Sequence, residues 1–312
     1  MTDTSNRTLA AAGAVLGYAT LIGFTDNFVR VIAMDGGLWQ FHASRSGMAL
    51  VLLAGAAAAF SLRLHPNRWR GVVARSALHG AAMLIYFGAL AFLPVAQVAA
   101  GLFTAPIFVL LIQRFAYGQP IGGWQALAVG LGFAGVVIVL GPEVMAGASL
   151  AAVLPVAAGV LYAMGNIATR AWCAGETAET LLAGFFAMLG LFGLVGMVVL
   201  AVVPVAVPVS GAEGPADFIL RGPVWPTGSF LGWTFVQAAG SLLGVGLVIK
   251  AYQMAEATTV SVFEYAILPI SAGWTWLLWG ETLDWTAWIG IALITLAGVI
   301  IARPGRRSPV AA

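Results

Sequence analysis

The sequence predicts an all-α integral membrane protein with ten transmembrane helices arranged as two inverted five-helix repeats. Composition, the length of the apolar runs and an internal repeat predict it. The 312 residues are 61% hydrophobic and 8% charged, with mean hydropathy +0.97. A soluble domain carries about 25% charged and 45–50% apolar residues, so a water-soluble enzyme of this size is excluded. Disorder is excluded too, because it needs low hydrophobicity and high charge. The apolar residues form long runs and do not alternate in short segments, which favours helices over a barrel. Each span takes about 20 residues, so the length allows about ten and leaves little for a separate soluble domain.

The expected spans are 10–32, 42–62, 75–93, 96–116, 122–141, 149–172, 180–204, 229–251, 258–279 and 285–302. The first is read as a span and not as a cleaved signal, because its apolar stretch is long and no small-residue cleavage site follows before Asp26. Pro and Gly mark many joins: Pro66, Pro94, Gly118 with Pro120, Gly141 with Pro142, and Pro304 with Gly305. The longest join is 205–228, with four prolines.

Basic residues set the orientation. With the N-terminus inside, Arg7, Arg63, Arg68, Arg70, Arg75, Arg114, Arg170, Lys250, Arg303, Arg306 and Arg307 fall at cytoplasmic ends. Only Arg30 and Arg221 fall at outer ends, and Arg45 lies within a span. An even number of spans returns the C-terminus to the cytoplasm with its arginines. The expectation is a multi-pass protein of the bacterial inner membrane with both termini cytoplasmic.

The chain repeats itself with an offset of 162 to 163. Ala-Pro-Ile-Phe at 105–108 matches Leu-Pro-Ile-Ser at 268–271, and Tyr-Gly-Gln-Pro at 117–120 matches Trp-Gly-Glu-Thr at 279–282. Gly-Phe-Ala-Gly-Val-Val-Ile at 132–138 matches Thr-Leu-Ala-Gly-Val-Ile-Ile at 295–301. The expected units are 1–145 and 146–312. Five is odd, so two such units have opposite topology, an organisation found in secondary transporters.

Ala251 to Ala257, Phe263-Glu-Tyr265 and Gly280-Glu-Thr282, followed by a glycine-containing last helix, resemble the C-terminal half of the drug/metabolite transporter superfamily, EamA type. Tyr86 to Leu90 and Phe103-Thr-Ala-Pro106 resemble the matching N-terminal segment. The resemblance covers essentially the whole chain. One departure is Gln119, where the first repeat usually has Glu, as Glu281 is in the second. The resemblance implies ten helices, cytoplasmic termini and a central cavity lined by both halves. It implies substrates among amino acids, nucleoside-like metabolites, vitamins and amphiphilic drugs.

Ionisable groups are costly inside a membrane, so each is a candidate for function. Glu264 lies about seven residues into the ninth expected span and is a candidate for binding a cationic group or for carrying a coupling proton, held by cavity water, by a hydroxyl such as that of Tyr162 or Tyr252, or by a cationic group of the solute. The bland reading is a carboxyl hydrogen-bonded to a neighbouring helix. Asp26 and Arg30 have the spacing and order of a helical ion pair, and Arg45 can reach the same patch. A structural ion pair is the simpler reading, an outer gate the sharper one. His79 and Tyr86 are seven apart on the third span, with Met83 between them. Tyr162 and Asn166 share a face of the sixth span with Arg170. Gln97, Thr104, Gln237 and Tyr265 add polar groups at membrane depth, where such groups also simply bridge helices. Pro106 and Pro269 occupy matched helices, each lacks a backbone donor, and each is expected to kink its helix. Paired interruptions of this kind point to a midplane site.

Other patterns read as architecture. Trp39, Trp225, Trp276, Trp279, Trp285 and Trp288 suit an interfacial belt, and Trp274 suits packing. Gly190, Gly193, Gly196, Gly240 and Gly244 suit close helix contacts. Gly130-Leu-Gly-Phe-Ala-Gly135 fits a dinucleotide fingerprint in letters only, because no strand precedes it. The single Cys173 excludes an intramolecular disulfide and a multi-cysteine metal site. No cofactor, metal or nucleic acid is expected. The expected partners are lipid and a small organic solute, with proton coupling a candidate, and a monomer and a homodimer both fit. The leading expectation is a secondary transporter of a small organic metabolite, such as an amino acid or another aromatic or amphipathic solute. A channel-like facilitator is the alternative.

Overall fold

The computed structural model describes residues 2–89, 95–146, 150–203, 205 and 215–302. They contain no strand. The helices are α1 (Thr2–Asp26), α2 (Val29–Asp35), α3 (Leu38–Phe60), α4 (Trp69–Ala89), α5 (Val95–Leu102), α6 (Ala105–Tyr117), α7 (Gly123–Ala146) and α8 (Leu150–Ala171). They continue with α9 (Ala178–Val202), α10 (Pro215–Leu220), α11 (Gly228–Met254), α12 (Ala257–Phe263), α13 (Ile267–Trp279) and α14 (Trp285–Ala302). A 3-10 turn at Glu264–Ala266 joins α12 to α13.

Among the described residues, six stretches are long and apolar enough to cross a membrane: Asn6–Asp35, Leu38–Phe60, Trp69–Ala89, Val98–Tyr117, Ala178–Val202 and Gly228–Met254. Gly123–Val139 and Trp285–Ala297 are shorter apolar helices. Apolar side chains face outward along them. On α9, Leu191, Leu194, Val195, Val198, Val199 and Val202 are all exposed, as suits a lipid-facing surface.

Local chemistry sets the ends. Thr177 and Thr227 cap α9 and α11, accepting from the backbone N–H of Thr180 (3.1 Å) and Phe230 (3.0 Å). Gly118 and Gly280 close α6 and α13 at φ 67°, where a side chain would be strained. Both prolines of the repeat sit at helix interruptions. Pro106 is the second residue of α6 and cannot donate to the carbonyl of Leu102, and α5 stops there. Pro269 cannot donate to the carbonyl of Tyr265, which lies in the 3-10 turn.

A third interruption was not read from the sequence. The first stretch breaks at Asn27–Phe28, between α1 and α2. Asn27 Nδ2 donates to the Gly23 carbonyl at 2.6 Å, and its Oδ1 accepts from Thr275 of α13 at 2.8 Å. This side chain competes with helix continuation, as short amides do.

The helices pack in recurring pairs: α4 with α8, α1 with α11, α3 with α9, and α7 with α14. The interrupted α5 and α6 lie on α8, while α12 and α13 lie on α1. Glycines let the backbones approach. A Cβ on Gly193 would stand 2.5 Å from the Ala43 nitrogen in α3, and one on Gly196 would enter the Trp39 ring. Gly135 of the rejected fingerprint faces the Gly290 carbonyl, where a Cβ would come within 2.7 Å; it is a packing glycine between α7 and α14.

Replacing Gly193 by Leu is therefore expected to lower the thermal stability of detergent-purified protein by about 1–3 kcal/mol, the usual cost of overpacking. Leu194→Ala, on the exposed side of the same helix, serves as the control and should change little. A Gly193→Leu melting temperature equal to wild type would mean that α3 and α9 do not meet at this seam.

Candidate functional site

A cavity runs between α1, α3, α4, α8, α9 and α11, closed on one side by the α5–α6 junction and α13. Tyr18, Asp26, Arg45, Arg75, His79, Tyr86, Tyr162, Asn166, Thr169, Ser241 and Tyr252 supply its polar lining. Met83, Leu102, Phe103, Phe185, Val245 and Val248 contribute to the apolar lining. Helical spacing selects these side chains. Tyr18, Ile22 and Asp26 form a stripe at intervals of four on α1, and Arg75, His79, Met83 and Tyr86 form one on α4.

The polar groups fall into two networks. In the first, Asp26 Oδ1 accepts from Gln237 Nε2 at 2.8 Å, and Oδ2 lies 3.5 Å from the Tyr86 hydroxyl. The other end of the Gln237 amide, Oε1, accepts from Ser241 Oγ at 2.7 Å and from Arg45 Nη1 at 3.4 Å. Arg45 is 2% exposed, with its guanidinium carbon 5.3 Å from the Phe41 ring centre and 5.2 Å from that of Phe87.

In the second network, Glu264 is fully buried. Its Oε1 accepts from the Tyr162 hydroxyl and its Oε2 from the Tyr252 hydroxyl, each at 2.8 Å. The Tyr252 oxygen accepts from Asn166 Nδ2 at 2.9 Å, and Asn166 Oδ1 faces His79 Nε2 at 2.9 Å. His79 Nδ1 lies 3.2 Å from the Arg75 carbonyl. Arg75 donates from Nε to Thr169 Oγ1 at 3.0 Å and from Nη1 to the Leu181 carbonyl at 3.1 Å. A carboxyl at one end is thus joined to an imidazole at the other through a tyrosine and an amide.

The cavity brings together Asp26, Arg45, His79, Tyr86, Tyr162 and Asn166 from among the expected residues. Gln237 stands directly behind it. Glu264 is not on its wall: the hydroxyls of Tyr162 and Tyr252 cover both of its oxygens. Tyr265 points away, with its hydroxyl against Gly132 of α7. Thr104 donates to the Gly101 carbonyl at 2.6 Å within the α5–α6 break. Pro106 and Pro269 lie at the breaks and not on the wall. Gln97 is in α5, but its side chain lies outside the described residues. Arg170, though on α8 with Tyr162 and Asn166, is exposed.

Arg30 does not pair with Asp26. The helix break at Asn27–Phe28 destroys the four-residue register, and Arg30 instead donates to Glu281 Oε1 at 2.7 Å, over the Trp279 ring. Nor does Arg45 form an ion pair with Asp26; Gln237 stands between them. Arg75, expected at a cytoplasmic end, is 1% exposed, because α4 begins six residues earlier, at Trp69. His42 is buried between Phe41, Phe87 and Arg45, with no hydrogen-bond partner for either ring nitrogen among the described residues. Trp274 packs edge-on against Phe24. The expected residues lacked Tyr18, Arg75, Thr169, Ser241 and Tyr252 as cavity groups. Their spacing from recognised ones, such as Tyr18 eight before Asp26 and Arg75 four before His79, was the available signal.

The chain has known relatives. Residues 9–141 match the EamA-like transporter family. The chain is 26% identical over 235 residues to a riboflavin transporter of Rhizobium johnstonii, covering 75% of this chain and 70% of the relative. It is 26% identical over 226 residues to the pseudopaline exporter CntI of Pseudomonas aeruginosa, covering 71% and 70%. A solved crystal structure superposes with a TM-score of 0.68 at 19% identity, covering 96% of this chain and 97% of that one, which shows a shared fold. Over residues 9–141 the chain is thus similar to EamA-like transporters, and it is similar to the two named relatives over about 70–75% of its length. It is an all-helical, multi-pass membrane protein.

The tyrosine pair around Glu264 can be tested without a substrate. Tyr162→Phe and Tyr252→Phe should each cost about 1–3 kcal/mol, as lost bonds to a buried acceptor do. The double variant should lose more than the sum, because the carboxylate is then left bare on both oxygens. Thermal unfolding of the four proteins in detergent gives the coupling; strict additivity would separate the two hydroxyls from a common acceptor.

Proposed function

We propose that the protein is a secondary transporter that carries a small organic solute across the bacterial inner membrane by alternating access. The observation that carries this reading is the cavity: buried charged and hydrogen-bonding side chains from several membrane-length helices converge on one mostly apolar space. Such a lining suits an amphipathic solute. It suits an inorganic ion poorly, since an ion needs a dense ring of ligands. The relatives named for riboflavin and for pseudopaline support a small metabolite as cargo.

Ten spans in two inverted repeats, 1–145 and 146–312, are part of this proposal. Helix pairing supports it. With α1 and α2 counted as one span, and likewise α5 with α6 and α12 with α13, the third span on the sixth corresponds to the eighth on the first. The fourth on the sixth corresponds to the ninth on the first, and the second–seventh and fifth–tenth pairs map onto themselves. Such exchange is what a two-fold relation between halves produces. Basic-residue asymmetry supports cytoplasmic termini. Arg30–Glu281 links α2 to the turn after α13, so it joins the two halves at the end assigned to the outside and can serve as a gate latch.

Within this reading, Glu264 acts on the solute indirectly. Its protonation state decides whether Tyr162 and Tyr252 donate to it or are free to turn into the cavity. That makes it the candidate coupling group.

In proteoliposomes, a panel of radiolabelled amino acids, flavins and aromatic amines should reveal saturable flux and counter-exchange for at least one solute. Non-saturating flux without exchange would indicate a pore. In Glu264→Gln, downhill exchange should persist while accumulation driven by a pH gradient disappears. Unchanged pH-driven accumulation would remove the residue from coupling.

Orientation can be checked by cysteine labelling. Cys173 lies outside the helices, and burial raises its thiol pKa, which makes it a poor nucleophile. Single cysteines at Pro226 and Gly175 should react from the outside and the inside respectively; the reverse pattern would invert the assignment.

A further inference from the structure

Arg45 is the buried charge whose needs the protein leaves least satisfied. Among the described residues its Nε has no hydrogen-bond partner, and the bond it makes, to Gln237 Oε1, is 3.4 Å long. That oxygen already accepts a shorter bond from Ser241, at 2.7 Å. Both Arg45 and Asp26 line the cavity. They are kept apart by the Gln237 amide, whose nitrogen donates to Asp26 and whose oxygen faces Arg45. The ion pairs among the described residues are Arg30–Glu281 and Arg221–Asp217, so the buried guanidinium has none.

An unpaired buried guanidinium is costly, and its planar fork fits a carboxylate with two parallel bonds. A solute bearing only a carboxylate would meet Arg45 but also Asp26, which repels it. One bearing only an ammonium would meet the reverse. The polarity that suits both is that of the Gln237 amide, donor toward Asp26 and acceptor toward Arg45. An ammonium and a carboxylate on neighbouring atoms reproduce it.

We propose that Asp26 and Arg45 form a headgroup subsite for an α-amino-acid-like zwitterion, and that the Gln237 amide holds its place when the cavity is empty. The solute's carboxylate binds Arg45, its ammonium binds Asp26, and Gln237 is displaced from between them. The solute's apolar body then lies along Met83, Leu102, Phe103, Val245 and Val248. Phe41 and Phe87 hold the guanidinium plane in position. This names the substrate class of the proposed transporter and rests on that reading.

The test uses purified full-length protein in detergent and two trios of compounds that differ only in headgroup: L-tryptophan, tryptamine and indole-3-propionate, and L-leucine, 3-methylbutylamine and 4-methylpentanoate. Calorimetry should show at least one zwitterion binding about tenfold or more tighter than both of its single-charge analogues, as expected when a buried group is left unpaired. Arg45→Gln should bring the zwitterion down to the level of its amine and leave the amine unchanged. Arg45→Lys, which keeps charge but loses the fork, should fall between. Equal binding by a single-charge analogue, no binding by any of the six, or an unchanged preference in a folded Arg45→Gln protein would overturn the subsite. Saturable flux of some other solute alongside such a failure leaves the transporter reading intact, whereas absence of saturable flux for every solute sinks that reading itself.

Discussion

A carboxylate inside a membrane protein has to be held by other side chains, because lipid offers no hydrogen bonds and exclusion from water is costly. Glu264 states this constraint in its strongest form. It is fully buried, and each oxygen is met by a tyrosine hydroxyl from a different helix, α8 and α11. Those hydroxyls fix where α8 and α11 stand relative to the 3-10 turn between α12 and α13. The Tyr252 oxygen in turn recruits Asn166, and Asn166 faces His79. One buried acid therefore organises side chains on α4, α8 and α11, and the cavity wall is the outer surface of that arrangement.

The interruptions serve the same end. At the α5–α6 break, Thr104 takes up the Gly101 carbonyl, and Gly159 of α8 leaves room for it: a Cβ there would lie 2.7 Å from Thr104 Oγ1. At the matching break before α13, the repeat offset places Glu264 opposite Gly101. One half of the chain uses a glycine to bring a helix close; the other uses an acid to bind two tyrosines. The two breaks are matched in sequence position but not in charge, so each brings different chemistry to its neighbours.

The two networks differ in how completely they are satisfied. Both oxygens of Glu264 have a donor. Around Arg45 the guanidinium is incompletely paired, flanked by aromatic rings, and separated from its natural counter-ion by an amide. The paired network holds helices in place, and the incompletely paired one is where the proposed headgroup subsite lies. Glycine seams such as Gly193 and Gly196 against α3 let the surrounding helices approach closely, and contacts made by small residues are compatible with helices that rock past one another.

Composition and the length of the apolar runs were enough to specify helices in a membrane, because both depend only on transfer from water and on backbone hydrogen bonding. Pro106, Pro269 and the glycines at Gly118 and Gly280 were equally legible, since a missing donor or a left-handed cap acts within a few residues. The sequence also named Asp26, Arg45, His79, Tyr86, Tyr162, Asn166 and Glu264, because polar groups stand out in an apolar span. Beyond the tyrosine hydroxyls Tyr162 and Tyr252, which hold Glu264 as expected, it did not disclose their partners. Arg30 turned to Glu281, 251 positions away, once Asn27 broke the helix. Arg75 moved inward because α4 starts earlier than the hydropathy suggests, and Glu264 withdrew behind two tyrosines. Those outcomes depend on which helix faces which, and hydrogen bonds between distant segments leave no periodic trace along the chain.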